Sequence, residues 1–148
     1  MARLTVTRPA AKGRHNNYCG PAALSIITGM DTASAAERLR AITGRHAIRG
    51  IYTHELVSAL DKEGYRVLRY RVQPEGVHTL ARWLRLSRWR RRPDVYYLLV
   101  VARHFIVLKG RKLADNHNPT GVFLRQYRHR RVRVRGAWVV SRLKKADI

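Results

Sequence analysis

Cysteine is almost missing from this chain of 148 residues; Cys19 is the only one. A lone cysteine excludes an internal disulfide and leaves no partner for a cysteine-based metal centre. Acidic residues are also scarce, nine Asp and Glu against 31 Lys and Arg, a formal charge of +22. No apolar run approaches the roughly 18–20 residues of a membrane span. The most apolar stretch, Val95 to Ala102, is only of strand length. The opening Met1-Ala2-Arg3-Leu4-Thr5-Val6 lacks the apolar core of a signal peptide. There is no glycine-rich phosphate loop and no dinucleotide fingerprint. His15, His46, His54, His78, His117 and His129 are scattered along the chain. Neither a metal nor another cofactor is expected, and the chain reads as a soluble, intracellular protein without a signal peptide.

What is present is enough to build a core. Hydrophobic residues make up 45% of the chain, which argues against a disordered tail. The length fits one domain, and no repeat or low-complexity linker divides it. The positive charge repels itself unless a polyanion or an anionic surface neutralises it. Arginine dominates it, and its planar fork suits phosphate. DNA or RNA is thus one expected partner. A solvated basic surface is the plainer reading.

Hydrophobic spacing predicts helices first and strands later, an α+β pattern. Tyr18 to Thr28 is small and apolar almost throughout, with Gly20 and Pro21 in the first turn, so a buried helix is expected. A second helix is predicted from about Thr32 to Thr43 and a third from about Thr53 to Glu63. Gly44 and Gly64 stop them, and Thr53 is the candidate cap of the third. Tyr65 to Val72 alternates as a strand, and a short amphipathic helix is predicted from about Gly76 to Leu86. Ser87 to Pro93 reads as an inter-lobe loop. Strands are then predicted at Val95–Ala102, His104–Lys109, Lys112–Asp115 and Val132–Val140, with Gly110-Arg111 as a tight hairpin turn.

Three residue types fall in an order that suits nucleophilic chemistry. A thiolate is the reactive form of cysteine, and Cys19 begins a helix, where the dipole favours an anion. His104 opens an apolar strand and is the candidate base. Across the Gly110-Arg111 hairpin, residues near 104–106 oppose residues near 114–116. Asp115, or alternatively Asn116, can therefore hold the far ring nitrogen of His104 and fix its tautomer.

The segments that carry this order resemble the papain-like cysteine peptidases, most nearly the compact branch of bacteriocin-leader-processing peptidases and their phage-encoded relatives. The matching pieces are Tyr18 to Gly29, which contains Cys19-Gly20-Pro21-Ala22-Ala23-Leu24, then Thr53 to Leu60 before Gly64-Tyr65, and His104 to Asn116. The resemblance spans roughly Arg14 to Gly121. It implies a helical lobe (about 14–86) carrying Cys19 and an antiparallel sheet lobe (about 94–142) carrying His104 and the acid, within one domain of residues 1–148. It also implies cleavage of a peptide or isopeptide bond in a protein substrate through a thioester. Cys19 would be the nucleophile, His104 the base and then the acid, and Asp115 the orienting group. The family's glutamine before the cysteine has no counterpart, since Gly13 stands six residues ahead of Cys19. Asn17 or Asn16 is the amide left to supply the oxyanion donor, with the Cys19 backbone N–H. A phage setting would put the protein in the host cytoplasm or the virion.

The second half is strongly basic. Arg131, Arg133 and Arg135 would share one face of a strand, and Arg90, Arg91 and Arg92 flank Pro93. Together they are the candidate phosphate contacts, with Trp89 beside them. The plainer reading is an edge strand whose arginines deter aggregation. A reading from another class follows: a papain-like scaffold of low or no activity, serving as a basic, nucleic-acid-associated structural protein of a virion.

Overall fold

A computed structural model of the chain describes residues 19–48 and 50–143. The chain forms α1 (Cys19–Thr28), α2 (Thr32–Thr43) and α3 (Thr53–Lys62), then β1 (Tyr65–Arg69) and α4 (Leu80–Ser87). The strands β2 (Tyr96–Val101), β3 (His104–Lys109), β4 (Lys112–Ala114) and β5 (Val122–Phe123) follow. A single 3-10 turn (Leu124–Gln126) leads towards β6 (Val134–Arg142). This is an α+β fold whose strands pair antiparallel in one sheet, in the order β1-β6-β2-β3-β4-β5.

Local chemistry sets the helix ends. Gly29 and Gly44 adopt positive φ (82° and 70°), a conformation that costs glycine little. Their N–H groups bond back to the carbonyls of Ser25 and Arg40. Asp31 caps α2 by accepting from the Ser34 N–H. At α3 the capping position is Tyr52 rather than Thr53, which is the first helical residue. There the Glu55 carboxylate, three residues on, accepts the Tyr52 N–H at 2.9 Å and pairs with Arg45 at 3.1 Å. A residue with no capping side chain thus begins the helix, because the return half of a capping box suffices.

The centre of the sheet, β2 and β3, is buried on both faces. Tyr96 and Leu98 of β2 and Phe105 and Val107 of β3 pack with α1, α2 and α3 around Leu24, Ile26, Leu39, Leu56 and Leu60. The alternate residues, Tyr97, Leu99 and Val101 with Ile106 and Leu108, pack with Leu80, Trp83 and Leu84 of α4. Two-sided burial explains why β2 reads as an unbroken apolar run rather than an alternating one. Eight consecutive residues of α1, Gly20 to Ile27, are buried. Burying each of its leucine and isoleucine side chains contributes about 1.5–3 kcal/mol. Tyr65 ties the far end of this helix to the sheet, its hydroxyl donating to the Ile27 carbonyl at 3.1 Å.

Several strand assignments differ from the sequence expectations. Val132 to Arg133 lies before β6, with Arg133 in an isolated bridge to Thr79, and β6 runs on to Arg142. Arg131 is in a turn, so Arg131, Arg133 and Arg135 do not share one strand face. Nor is this an edge strand, since β6 lies between β1 and β2. β1 enters the sheet from within the helical half, and α4 covers the face opposite α1–α3. The helix α4 starts at Leu80, where Thr79 accepts the Arg82 N–H, four residues later than its periodicity suggests.

β2 and β3 are joined by two residues, Ala102 and Arg103, both at positive φ (42° and 63°). A two-residue hairpin of this hand favours Asn-Gly, and left-handed backbone costs an ordinary residue roughly 1–2 kcal/mol. Both residues are exposed, so only backbone strain is at stake. Replacing the pair with Asn-Gly (Ala102→Asn with Arg103→Gly) is expected to raise stability by about 1 kcal/mol. The readout is a higher urea midpoint at unchanged slope; a lower midpoint would contradict the strain argument.

Candidate active site

The hairpin just described delivers His104. It is the first residue of β3 and pairs with Val101. The β2–β6 register shifts between Val100 and Val101, a bulge at the same end of the sheet, as is frequent beside functional sites. The other hairpin turns at Gly110-Arg111, with Gly110 at φ 61°. Its register sets Val107 against Ala114. Continuing that count puts Asp115 opposite Ile106, one diagonal step from His104 on the same face. The His104 Nε2 lies 2.8 Å from Asp115 Oδ2.

Asp115 is only 2% exposed, and an unpaired carboxylate there would be costly. It is instead surrounded by donors. Oδ2 also accepts the Tyr127 hydroxyl at 2.6 Å. Oδ1 accepts the backbone N–H groups of His117 (2.9 Å) and Asn118 (2.8 Å) and the Asn118 side-chain amide (3.3 Å). Burial alone would raise the carboxyl pKa, but these hydrogen bonds and the His104 charge outweigh it and hold it well below the carboxylate range. The turn Asp115-Asn116-His117-Asn118 thus builds a fixed anion from local backbone. Tyr127 is buried as well, and its own ionisation is pushed far up by burial and by the adjacent Asp115 charge.

With Nε2 committed to Asp115, Nδ1 is the ring nitrogen left for Cys19, whose side chain hydrogen-bonds His104. Burial disfavours the imidazolium, yet the hydrogen bonds and charges of Asp115 and Cys19 prevail and raise His104 to about 9. Cys19 is the first residue of α1, so its own N–H and that of Gly20 have no acceptor within the helix. The helix end is fixed by close packing: a Cβ on Gly20 would come within 3.0–3.1 Å of the Ile51 side chain.

Cys19, His104 and Asp115, named from the sequence, are therefore brought together from α1, β3 and the turn after β4. Asn116 is buried next to Asp115 in the chain. Asn16 and Asn17 lie outside the described residues. The sequence reading missed Tyr127, which stood inside a basic segment with nothing to mark it. It also left His117 and His129 as scattered histidines. Their ring centroids are 6.2 Å and 6.0 Å from that of His104. His129 is held below its ordinary pKa by burial, by Arg128 and by His104. Among the described residues, no group of three His, Cys, Asp or Glu is arranged to hold a metal ion.

The basic candidates scatter. Arg91 bonds the Gly110 and Leu84 carbonyls (3.1 and 3.5 Å), Arg92 pairs with Asp94, and Arg90 is exposed. Arg135 lines a separate cavity with Arg69 and Arg71. No protein-family model matches the chain, and no curated protein matches it. Among the described residues, no helix is long and apolar enough to cross a membrane.

Two outcomes follow. Folding raises His104 above its ordinary 6.5, so its contribution to stability is whole below about pH 6.5 and is lost as the pH rises through about 9. Urea unfolding across pH 5 to 10 should show stability falling over that window in the wild type. His104→Gln should flatten this limb; an unchanged limb would assign it to another group. Second, Gly20→Ala should lower the urea midpoint, by about 1–3 kcal/mol in stability, because Ile51 must shift. An unchanged midpoint would mean that the α1 end is not tightly seated.

Proposed function

We propose that the chain is a papain-like cysteine peptidase that cleaves a peptide or isopeptide bond in a protein substrate. The observation that carries this reading is the chain of interactions Cys19, His104, Asp115, with His104 raised to about 9 between the cysteine and a fixed carboxylate. A cysteine beside a histidine that can take up its proton is the arrangement in which sulfur serves as nucleophile.

In the proposed cycle the Cys19 sulfur attacks the scissile carbonyl carbon and the C=O electron pair moves onto oxygen. The N–H groups of Cys19 and Gly20 stabilise that oxyanion. As the tetrahedral species collapses, His104 Nδ1 gives its proton to the leaving amine, the C–N bond breaks and a thioester remains. A water then loses its proton to Nδ1 and adds to the thioester. Release of the acid returns the proton from His104 to the departing sulfur, or leaves the ion pair. Asp115 keeps Nε2–H in place throughout and supports the imidazolium. Tyr127 and the Asn118 amide keep Asp115 ionised and aimed.

The test combines chemistry and turnover. Iodoacetamide should alkylate Cys19 rapidly well below the ordinary thiol pKa of about 8.5, and slowly in His104→Ala. Against a peptide mixture read by mass spectrometry, Cys19→Ala should give no cleavage while keeping the wild-type circular dichroism. His104→Ala should lose about 10²–10⁴-fold in rate. Equal cleavage by Cys19→Ala, or ordinary thiol reactivity in the wild type, would overturn the reading in favour of an inert scaffold. Tyr127→Phe should retain the fold and move the basic limb of the alkylation profile to higher pH, because a carboxylate with one competing donor fewer holds the imidazolium more strongly.

A further inference from the structure

Well away from Cys19, a groove of about 630 Å³ opens between α4 and the β3–β4 hairpin. Its lining includes Leu84, Leu108 and Leu124, together with Arg85 and Arg88 from the α4 side and Arg111 and Arg125 from the hairpin and the 3-10 turn. A second cavity of about 280 Å³ adjoins it and shares Arg88, Arg91 and Arg111. Four residues of β3 separate Leu108 from His104, about 13 Å at 3.3 Å per residue. The groove is therefore a different place from the thiol site.

Three features give it a direction. No acidic residue lines either cavity, and among the described residues the ion pairs engage other arginines, leaving Arg85, Arg88, Arg111 and Arg125 without a carboxylate. Arg91 is spent on structure, clamping the hairpin carbonyl of Gly110 to the end of α4, so the two walls are held at a fixed separation. An exposed aromatic stands at each end: Phe123, 43% exposed, in the larger cavity, and Trp89, 87% exposed, in the smaller. The Arg88 guanidinium lies 4.9 Å from the Trp89 ring.

We propose that this trough, from Phe123 past Arg125, Arg111 and Arg88 to Trp89, binds single-stranded nucleic acid without sequence preference. Unpaired cations in a concave track suit a phosphate backbone, and exposed rings at the track's ends suit unpaired bases, which stack on any aromatic face. Two joined cavities sharing their arginines match a linear polyanion better than a single small anion.

The test uses the full chain and a fluorescein-labelled (dT)20 oligonucleotide, read by anisotropy over a potassium chloride series. Log affinity should fall with log salt at a slope of roughly −0.7 per phosphate engaged. The triple variant Arg88→Gln, Arg111→Gln, Arg125→Gln should weaken binding at least tenfold and reduce the slope by about 2. An equal charge removal at Arg131, Arg133 and Arg135 should leave most of the affinity. Trp89→Ala, at a side chain 87% exposed, should weaken binding about tenfold. Equal losses from the two triple variants would overturn the assignment in favour of bulk charge. Groove-dependent binding to phosphatidylserine vesicles with none to (dT)20 would overturn it in favour of a lipid surface. Cys19→Ala should bind the oligonucleotide as the wild type does; if it does not, the two sites are one.

Discussion

The buried carboxylate of Asp115 is the constraint on which the rest of the site depends. A charge this deep is tolerable only if its oxygens are filled, and five donors fill them. Two come from the backbone of its own turn, one from the Asn118 side chain, one from Tyr127 and one from His104. Removing any one leaves the others facing a charge that is less well compensated. The turn after β4, the segment carrying Tyr127 and the start of β3 are thereby locked to a common point. A buried ion pair of this kind gives little stability over an apolar replacement of the same volume. Stability alone therefore does not account for it.

The charge of the chain is distributed unevenly over the fold. Most acidic residues lie in the helical half, where Glu37, Glu55 and Glu63 pair with Arg40, Arg45 and Arg38. Beyond Glu75 the only acids are Asp94, Asp115 and Asp147, and Asp115 is turned inward. The side of the sheet covered by α4 therefore carries cations with almost no internal relief. Surface ion pairs contribute little individually, but their absence there leaves a positive field that long-range attraction can exploit.

The parts legible in the sequence were those set by local rules. Glycines at positive φ ended α1 and α2, and the apolar run of β2 and the Gly110-Arg111 turn fixed one hairpin and its register. That register is why the pairing of His104 with Asp115 could be anticipated from spacing. Long-range pairing was not legible. Alternation shows that residues 65–69 and 134–142 form strands, but it carries no information about neighbours, so β6 read as an edge although it lies inside the sheet. Arg131, Arg133 and Arg135 illustrate the same limit: their spacing implied one face, whereas a turn and a bulge separate them. Tyr127 was invisible because its partner is twelve residues away across a turn, and a tyrosine among arginines has no local signature. The basic trough was hidden for a related reason. Its arginines come from α4, a hairpin tip and a 3-10 turn, and only the folded chain brings them together.

The place of β6 has a consequence for the order of synthesis. Among the described residues β1 is flanked in the sheet by β6 alone, and β6 also supplies one whole side of β2. A ribosome that has released everything up to residue 133 has therefore made β1 and the β2–β3 hairpin without the strand that lies between them. Non-local contacts of this kind close late. The thiol and the imidazole, 85 residues apart in the chain, meet where α1 packs on β3. A nascent chain of this design keeps β1 out of the sheet until β6 has emerged to bridge it to β2.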